Sequence, residues 1–265
     1  MSSYRPREAL AMAVIAVFNQ KGGVGKTTTA FNLAAALARD GLRPVAIDLD
    51  PQSHLTIAAG IRHVPGPDSV FGFFTADTSL QSLLRDTPSG VRLVPSSLGL
   101  SKVDALHGSD AAISRKLTRG IEEAGWTREP PVLIDCCPML GVLTLNALLA
   151  AQQVLIPLSA DFLSLQGVHR ISAALDTLEA RSGRRFPRRI VVSRYDARRK
   201  LSFRIYRDLQ ETYPGLVCET RIHECVSLAE APLHGSDIFA YAPGSQGAAD
   251  FKLLREELQA AGFFG

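Results

Sequence analysis

Short apolar runs alternate with longer stretches of helical periodicity from residue 13 onward. Residues 13–18 are continuously apolar, the pattern of a strand buried on both faces. Beyond them Ala30, Leu33, Ala34, Leu37 and Ala38 recur at three- and four-residue spacing, which predicts a helix over 29–39 stopped at Asp40-Gly41. The alternation continues with strands predicted at 44–49, 91–95, 131–135, 154–158 and 189–193 and helices at 109–124, 163–181, 200–212 and 247–260. A further short strand is predicted at 216–219. Residues 60–79 are rich in Gly and Pro, with Phe71, Phe73 and Phe74 close together, and read as a loop pinned by buried rings. Alternation of this kind without internal repeats predicts an α/β fold. It would be one domain over 13–265, a doubly wound, mainly parallel sheet flanked by helices, with 1–12 as a flexible lead-in. Ligands of such sheets sit beyond the carboxyl ends of the strands.

Composition narrows the class without naming a chemistry. The 265 residues are 46% hydrophobic and 21% charged, ordinary for a globular chain. No apolar run approaches the roughly 20 residues that cross a bilayer. The apolar stretch at 9–18 runs into a glycine-rich loop rather than a cleavage site, so a cytoplasmic protein is expected. The four cysteines, at 136, 137, 218 and 225, lack the C-x-x-C spacing of a metal or redox site and read as reduced, structural thiols. Net charge is +3, but unevenly spread. Between Arg181 and Arg207 eleven basic residues face one acid, Asp196, so that window carries about +10 and the remainder about −7. A basic face on an acidic protein is an electrostatic footprint for a polyanion.

The candidate chemistry begins where the first strand ends. Asn19-Gln20-Lys21-Gly22-Gly23-Val24-Gly25-Lys26-Thr27-Thr28 stands between a strand and a helix, the order a phosphate-binding loop needs. Gly22, Gly23, Val24 and Gly25 would let the backbone close around an anion at the positive end of the helix dipole. Lys26 would reach the β- and γ-phosphates, the Thr27 hydroxyl would coordinate Mg2+, and Thr28 would bond the α-phosphate. Where the general motif opens with glycine, this chain has Gln20 followed by Lys21, so two lysines flank the loop. Three aspartates lie at predicted strand ends: Asp48 and Asp50 in Asp48-Leu49-Asp50-Pro51-Gln52, and Asp135 closing Val132-Leu133-Ile134-Asp135.

The loop resembles the deviant Walker A motif, K-G-G-x-G-K-T-T, of the ParA/MinD family of P-loop NTPases. Similarity extends through Asp135 to Asn146, the segment from Val154 to Gly167, Tyr195-Asp196-Ala197-Arg198, Leu228-Ala229-Glu230-Ala231-Pro232, and the stretch from Tyr241 to Ala248. It covers about residues 13 to 260 and leans to ParA-type partition and positioning ATPases. The resemblance implies a slow, Mg2+-dependent ATPase that forms a homodimer with ATP and binds DNA nonspecifically. It would segregate or position a chromosome, a plasmid or another large cargo, under stimulation by a ParB-like or cargo-adaptor protein. It further implies that Lys21 reaches the phosphates held by the other subunit. Asp50 would orient the attacking water, and Asp135 would hold Mg2+ through a water. For Asp48 three roles stay open: the metal shell, the signature lysine, or loop amides. His54 is expected to be a variable loop residue.

Two departures stand out. Cys137 replaces the first proline of the family's D-x-P-P segment, and Glu224 and Ser227 stand where the ParA pattern has arginines that contribute to DNA binding. The Arg181 to Arg207 cluster, above all Arg198, Arg199, Lys200 and Arg204, is the expected substitute, since phosphate contacts need charge more than position. Competing expectations are a MinD-like membrane-associated positioning ATPase, an electron-transfer reductase with a cluster shared between subunits, and a small-molecule ligase or synthetase. The C-terminal apolar residues lack the basic partners and length of an interfacial helix, so no membrane contact is expected.

Overall fold

A computed structural model describes residues 13–107, 111–127 and 129–264. The lead-in expected at 1–12 lies outside the described residues. Seven strands form one sheet: β1 (Val14–Val17), β2 (Val45–Leu49), β3 (Arg85–Asp86), β4 (Arg92–Val94), β5 (Val132–Cys136), β6 (Gln153–Ser159) and β7 (Arg188–Ser193). Their order is β3-β4-β2-β5-β1-β6-β7, parallel throughout except for the short antiparallel edge strand β3. The first strand is therefore central, between β5 and β6. Both of its neighbours come from the second half of the chain.

The apolar runs are continuous because each strand is covered on both faces. Along β1 and β5, Val14, Ala16, Val132 and Ile134 point into one core, and Ile15, Val17 and Leu133 into the other. The second core is closed by α1 (Lys26–Arg39) and by α11 (Gln246–Ala260), where Phe251, Leu254 and Leu258 pack beside Leu33 and Leu37. Phe263 and Phe264 are buried there as well.

The other face carries α3 (Val70–Ala76), α4 (Val103–His107), α5 (Lys116–Glu123), α6 (Val142–Ala150), α7 (Phe162–Ser182) and α8 (Lys200–Thr212). Three short helices complete the chain: α2 (His54–Ala58), α9 (Val226–Glu230) and α10 (Ile238–Tyr241).

Three predicted elements differ. Residues 60–79 contain α3, in which Phe73 and Phe74 are buried, with Ser69 capping its first turn. The helix expected over 109–124 is a 3-10 turn at Ala111–Arg115 followed by α5; residues 109 and 110 lie outside the described residues. At 216–219 there is one parallel bridge, Ile190 to Val217, and no strand. The ladder stops because the amides of Glu219 and Thr220 donate to the Glu257 carboxylate at 2.7 and 2.8 Å instead.

Candidate nucleotide-binding site

The glycine-rich loop leaves the carboxyl end of β1 and is clamped at three points. The Asn19 side chain donates to Pro157 O at 2.8 Å, and its carbonyl accepts the Lys21 amide at 2.9 Å. From the end of β7 the Ser193 hydroxyl lies 2.7 Å from Val24 O and 3.1 Å from Leu158 O. Between these clamps Gly23 and Gly25 take left-handed backbone angles, φ 74° and 85°, which side chains resist. Among the described residues the Gly23 and Gly25 amides have no hydrogen-bond acceptor, and nothing lies within 4 Å of where a Cβ would stand at Gly22 or Gly23. The loop is open, donor-lined, and backed by the N-terminus of the 14-residue α1.

Around it the charges are arranged for a polyanion and a divalent cation. Lys26 is 8% exposed, its Nζ donates to Lys21 O at 3.0 Å, and burial lowers its pKa against the pull of Asp135 and Asp50. The Thr27 hydroxyl donates to Asp135 Oδ2 at 2.7 Å, while Asp135 Oδ1 is buried with no partner. Burial raises the Asp135 pKa well above the carboxylate range, and the adjacent Asp48 adds to the rise. Those two aspartates face each other in register across β2 and β5. Burial likewise pushes Asp48 up to about 7, against the pull of its Thr56 hydrogen bonds. An orphaned carboxylate oxygen beside a hydroxyl that can turn toward a metal fits Mg2+. No group of three His, Cys, Asp or Glu side chains capable of holding a metal occurs among the described residues. Mg2+ generally keeps waters and phosphate oxygens in its shell rather than a protein cage. Thr27 and Asp135 would hold it, and bound there it would neutralise charge on the phosphates.

Asp48 makes one of the three contacts left open for it. Its Oδ1 accepts the Asp50 amide and its Oδ2 accepts both the amide and the hydroxyl of Thr56, so it organises loop amides. Asp50 is 8% exposed beyond β2, with Oδ1 accepting the Gln52 amide. Lys21 is paired within its own chain: Nζ lies 2.7 and 2.6 Å from the two oxygens of Asp161, at side-chain exposures of 37% and 41%. Sequence reasoning missed Asp161, Ser193, Thr56 and Ser96. The only local signal was position, since Asp161 and Ser193 follow or close strands at the ligand-binding edge.

The basic window looks different once its acidic partners are in place. Arg188 pairs with Asp176 and Glu179, Arg185 with Glu179, and Arg184 donates to the carbonyls of Leu149 and Ala151. Near α8, Arg198 and Arg199 both hold Asp196, Arg194 and Arg199 reach Glu224, Arg204 faces Asp208, and Arg207 faces Glu211. With Lys200, six cations there meet four acids, leaving about two charges uncompensated. Asp196 is held at a pKa of about 2, chiefly by the Arg198 side chain and amide. A carboxyl so depressed stabilises the fold above the ordinary range and loses that contribution as the pH falls toward 2. In Arg198→Ala the Asp196 titration followed by carbon NMR should move up by roughly one unit; an unmoved midpoint would mean that Arg198 does not hold it.

Fold, loop and carboxylates together define a P-loop nucleotide-binding protein of the deviant class, with a second lysine ahead of the glycines. Residues 12–186 match the family model described as an AAA domain. The chain is 38% identical to the chromosome-partitioning ATPase Soj of Thermus thermophilus, over 93% of this chain and 95% of that one. It is 35% identical to the chromosome partitioning protein ParA of Caulobacter vibrioides, over 92% and 93% respectively. Among solved structures, cobyrinic acid a,c-diamide synthase from Mycobacterium smegmatis with bound ATP analog and magnesium superposes with a TM-score of 0.81 at 29% identity, covering 94% of each chain. MinD from Pyrococcus horikoshii with Mg-ADP shares the fold, with a TM-score of 0.76 at 23% identity over 95% of this chain and 98% of that one. The chain belongs to the ParA/MinD family of P-loop ATPases.

Proposed function

We propose that this protein is a Mg2+-dependent ATPase that dimerises around ATP, binds DNA nonspecifically as the dimer, and segregates or positions a chromosome, plasmid or other large cargo. A ParB-like or cargo-adaptor protein stimulates its hydrolysis. The observation that carries the reading is Lys21: a cation at the open mouth of a complete phosphate cradle, which its own Nζ does not enter. It is held by a half-exposed ion pair of the kind worth about 0–1 kcal/mol, and so readily exchanged for a second subunit's phosphates. Lys26 and the free loop amides bind and orient the nucleotide, and Asp50 directs the attacking water.

The partition names of the relatives at 35 and 38% identity favour this over a synthetase reading, whose support is the name of one protein solved in three structures at 29% identity. No described helix is long and apolar enough to cross a membrane, and the terminal Phe263 and Phe264 are committed to the core. Cys136 and Cys137 are buried, which disfavours a shared cluster.

DNA binding is expected to require ATP and to weaken with salt. The net positive charge left about α8 after its acidic partners is the expected DNA surface, so the triple change Arg198→Glu, Arg199→Glu, Lys200→Glu, which reverses it, should sharply weaken retention on duplex DNA. If these three each neutralise a phosphate, their loss should flatten the log–log salt slope by roughly 2–3. Unchanged retention at several salt concentrations would move the DNA surface elsewhere.

A further inference from the structure

Asp50 sits in a closed ring of buried hydrogen bonds built from three separate segments. Its amide donates to Asp48 Oδ1 at 3.1 Å, while Asp48 Oδ2 accepts the Thr56 amide at 2.8 Å and the Thr56 hydroxyl at 2.7 Å. The Thr56 oxygen in turn accepts the Ser96 amide at 2.9 Å. The Ser96 hydroxyl closes the ring on Asp50 O at 2.7 Å. Each hydroxyl spends its one proton inside the ring. Asp48, Thr56 and Ser96 are 0%, 2% and 1% exposed, so water cannot substitute for any member. The ring grips both the N–H and the C=O of the residue whose carboxylate faces the loop.

We propose that Thr56 and Ser96 are positioning residues for the hydrolytic step, fixing the Asp50 backbone so that its carboxylate meets the attacking water at the right distance. This rests on the reading of Asp50 as the water-directing group. Displacements near 1 Å at a reacting centre cost on the order of 10²-fold in rate. The other bonds to Asp50, from the Ser53 amide to its carbonyl and from the Gln52 amide to Oδ1, both 2.9 Å, come from its own turn, so the ring is what ties that turn to α2 and to the segment after β4. The far anchor is rigid as well. Helix α2, which carries Thr56, is followed by Gly60, whose Cα would lie 2.6 Å from a Cβ placed on Gly235. Two glycine backbones in contact leave α2 no room to slide toward the 231–235 turn.

The test uses the full chain with ATP and Mg2+. Ser96→Ala and Thr56→Val each break the ring with little change in volume. Both are expected to lower kcat by roughly 10–100-fold while KM, nucleotide affinity and ATP-dependent dimerisation stay within about threefold. Thr56→Ser, which keeps the hydroxyl, should restore kcat to within a few-fold. A purely structural role would show as a lowered melting temperature with kcat per folded molecule intact, and would overturn the proposal. So would Ser96→Ala and Thr56→Val proteins that hydrolyse at the parent rate. Asp50→Asn separates the two levels: if it hydrolyses normally, the Asp50 reading itself fails. If it is inactive while the ring variants are active, Asp50 stands and the ring is not its support.

Discussion

A Lys21→Ala protein is expected to bind ATP within about threefold of the parent, to remain monomeric with ATP, and to hydrolyse it at least 10²-fold more slowly, the typical loss when one preorganised charge donor is removed. Three contacts make the change clean. The Lys21 amide is held by Asn19 Oδ1, and Lys26 Nζ bonds the Lys21 carbonyl; neither uses the Lys21 side chain. Its one ion pair, to Asp161, is half exposed, so its loss costs about 1 kcal/mol at most. Truncation therefore leaves the cradle standing and removes only the group that the proposed dimer would use. Nucleotide titration, light scattering and turnover on one preparation decide it, and a fully active variant would overturn the dimer reading of the loop.

Replacing Asp135 with Asn should make the nucleotide-free protein more stable and the enzyme almost inactive. Asp135 and Asp48 are wholly buried, side by side, and both are raised above the ordinary carboxylate range by burial. Each therefore contributes fully to stability below pH 4, where it is protonated in both states, and that contribution is lost as the pH rises through its folded-state value, about 7 for Asp48. Asparagine removes one of the two charges. At pH 8 the gain should be about 1–2 kcal/mol, a rise in melting temperature of roughly 2–8 °C, and it should vanish near pH 4. The same change removes the orphaned oxygen opposite Thr27, so Mg2+-dependent hydrolysis should fall by about 10²–10³-fold. Calorimetry at the two pH values, with turnover alongside, checks both halves. A destabilised variant, or one that keeps its rate, would contradict this account of the carboxylate pair.

What the sequence made legible was local. The loop is ten contiguous residues between a strand and a helix, and Asp50 and Asp135 close or follow apolar strands, so neighbours in sequence carried the signal. The parallel sheet followed from the same runs. What escaped was non-local or aperiodic. The chain over α6 is apolar nearly all round, so it shows no helical stripe, and its buried Asn146 is paired with the Leu117 amide, 29 residues away. Ser193 reaches Val24 across 169 residues, and Ser96 reaches Asp50 across 46, as single polar residues with no motif around them. The basic window was overcounted for the same reason. Asp176, Glu179, Asp208 and Glu211 lie within five residues of it in sequence, Glu224 lies farther on, and all five lie against it in space.

The Asn19 and Ser193 clamps also set an order of events during synthesis. Strand β1 emerges first but has no partner until β5 and β6 are made, and the loop is not pinned until residue 193 has left the ribosome. At about 5–20 residues per second, those 169 residues take roughly 8–34 s. The first strand of the sheet to be made is thus finished late, and the loop that follows it reaches its pinned geometry only when most of the sheet exists.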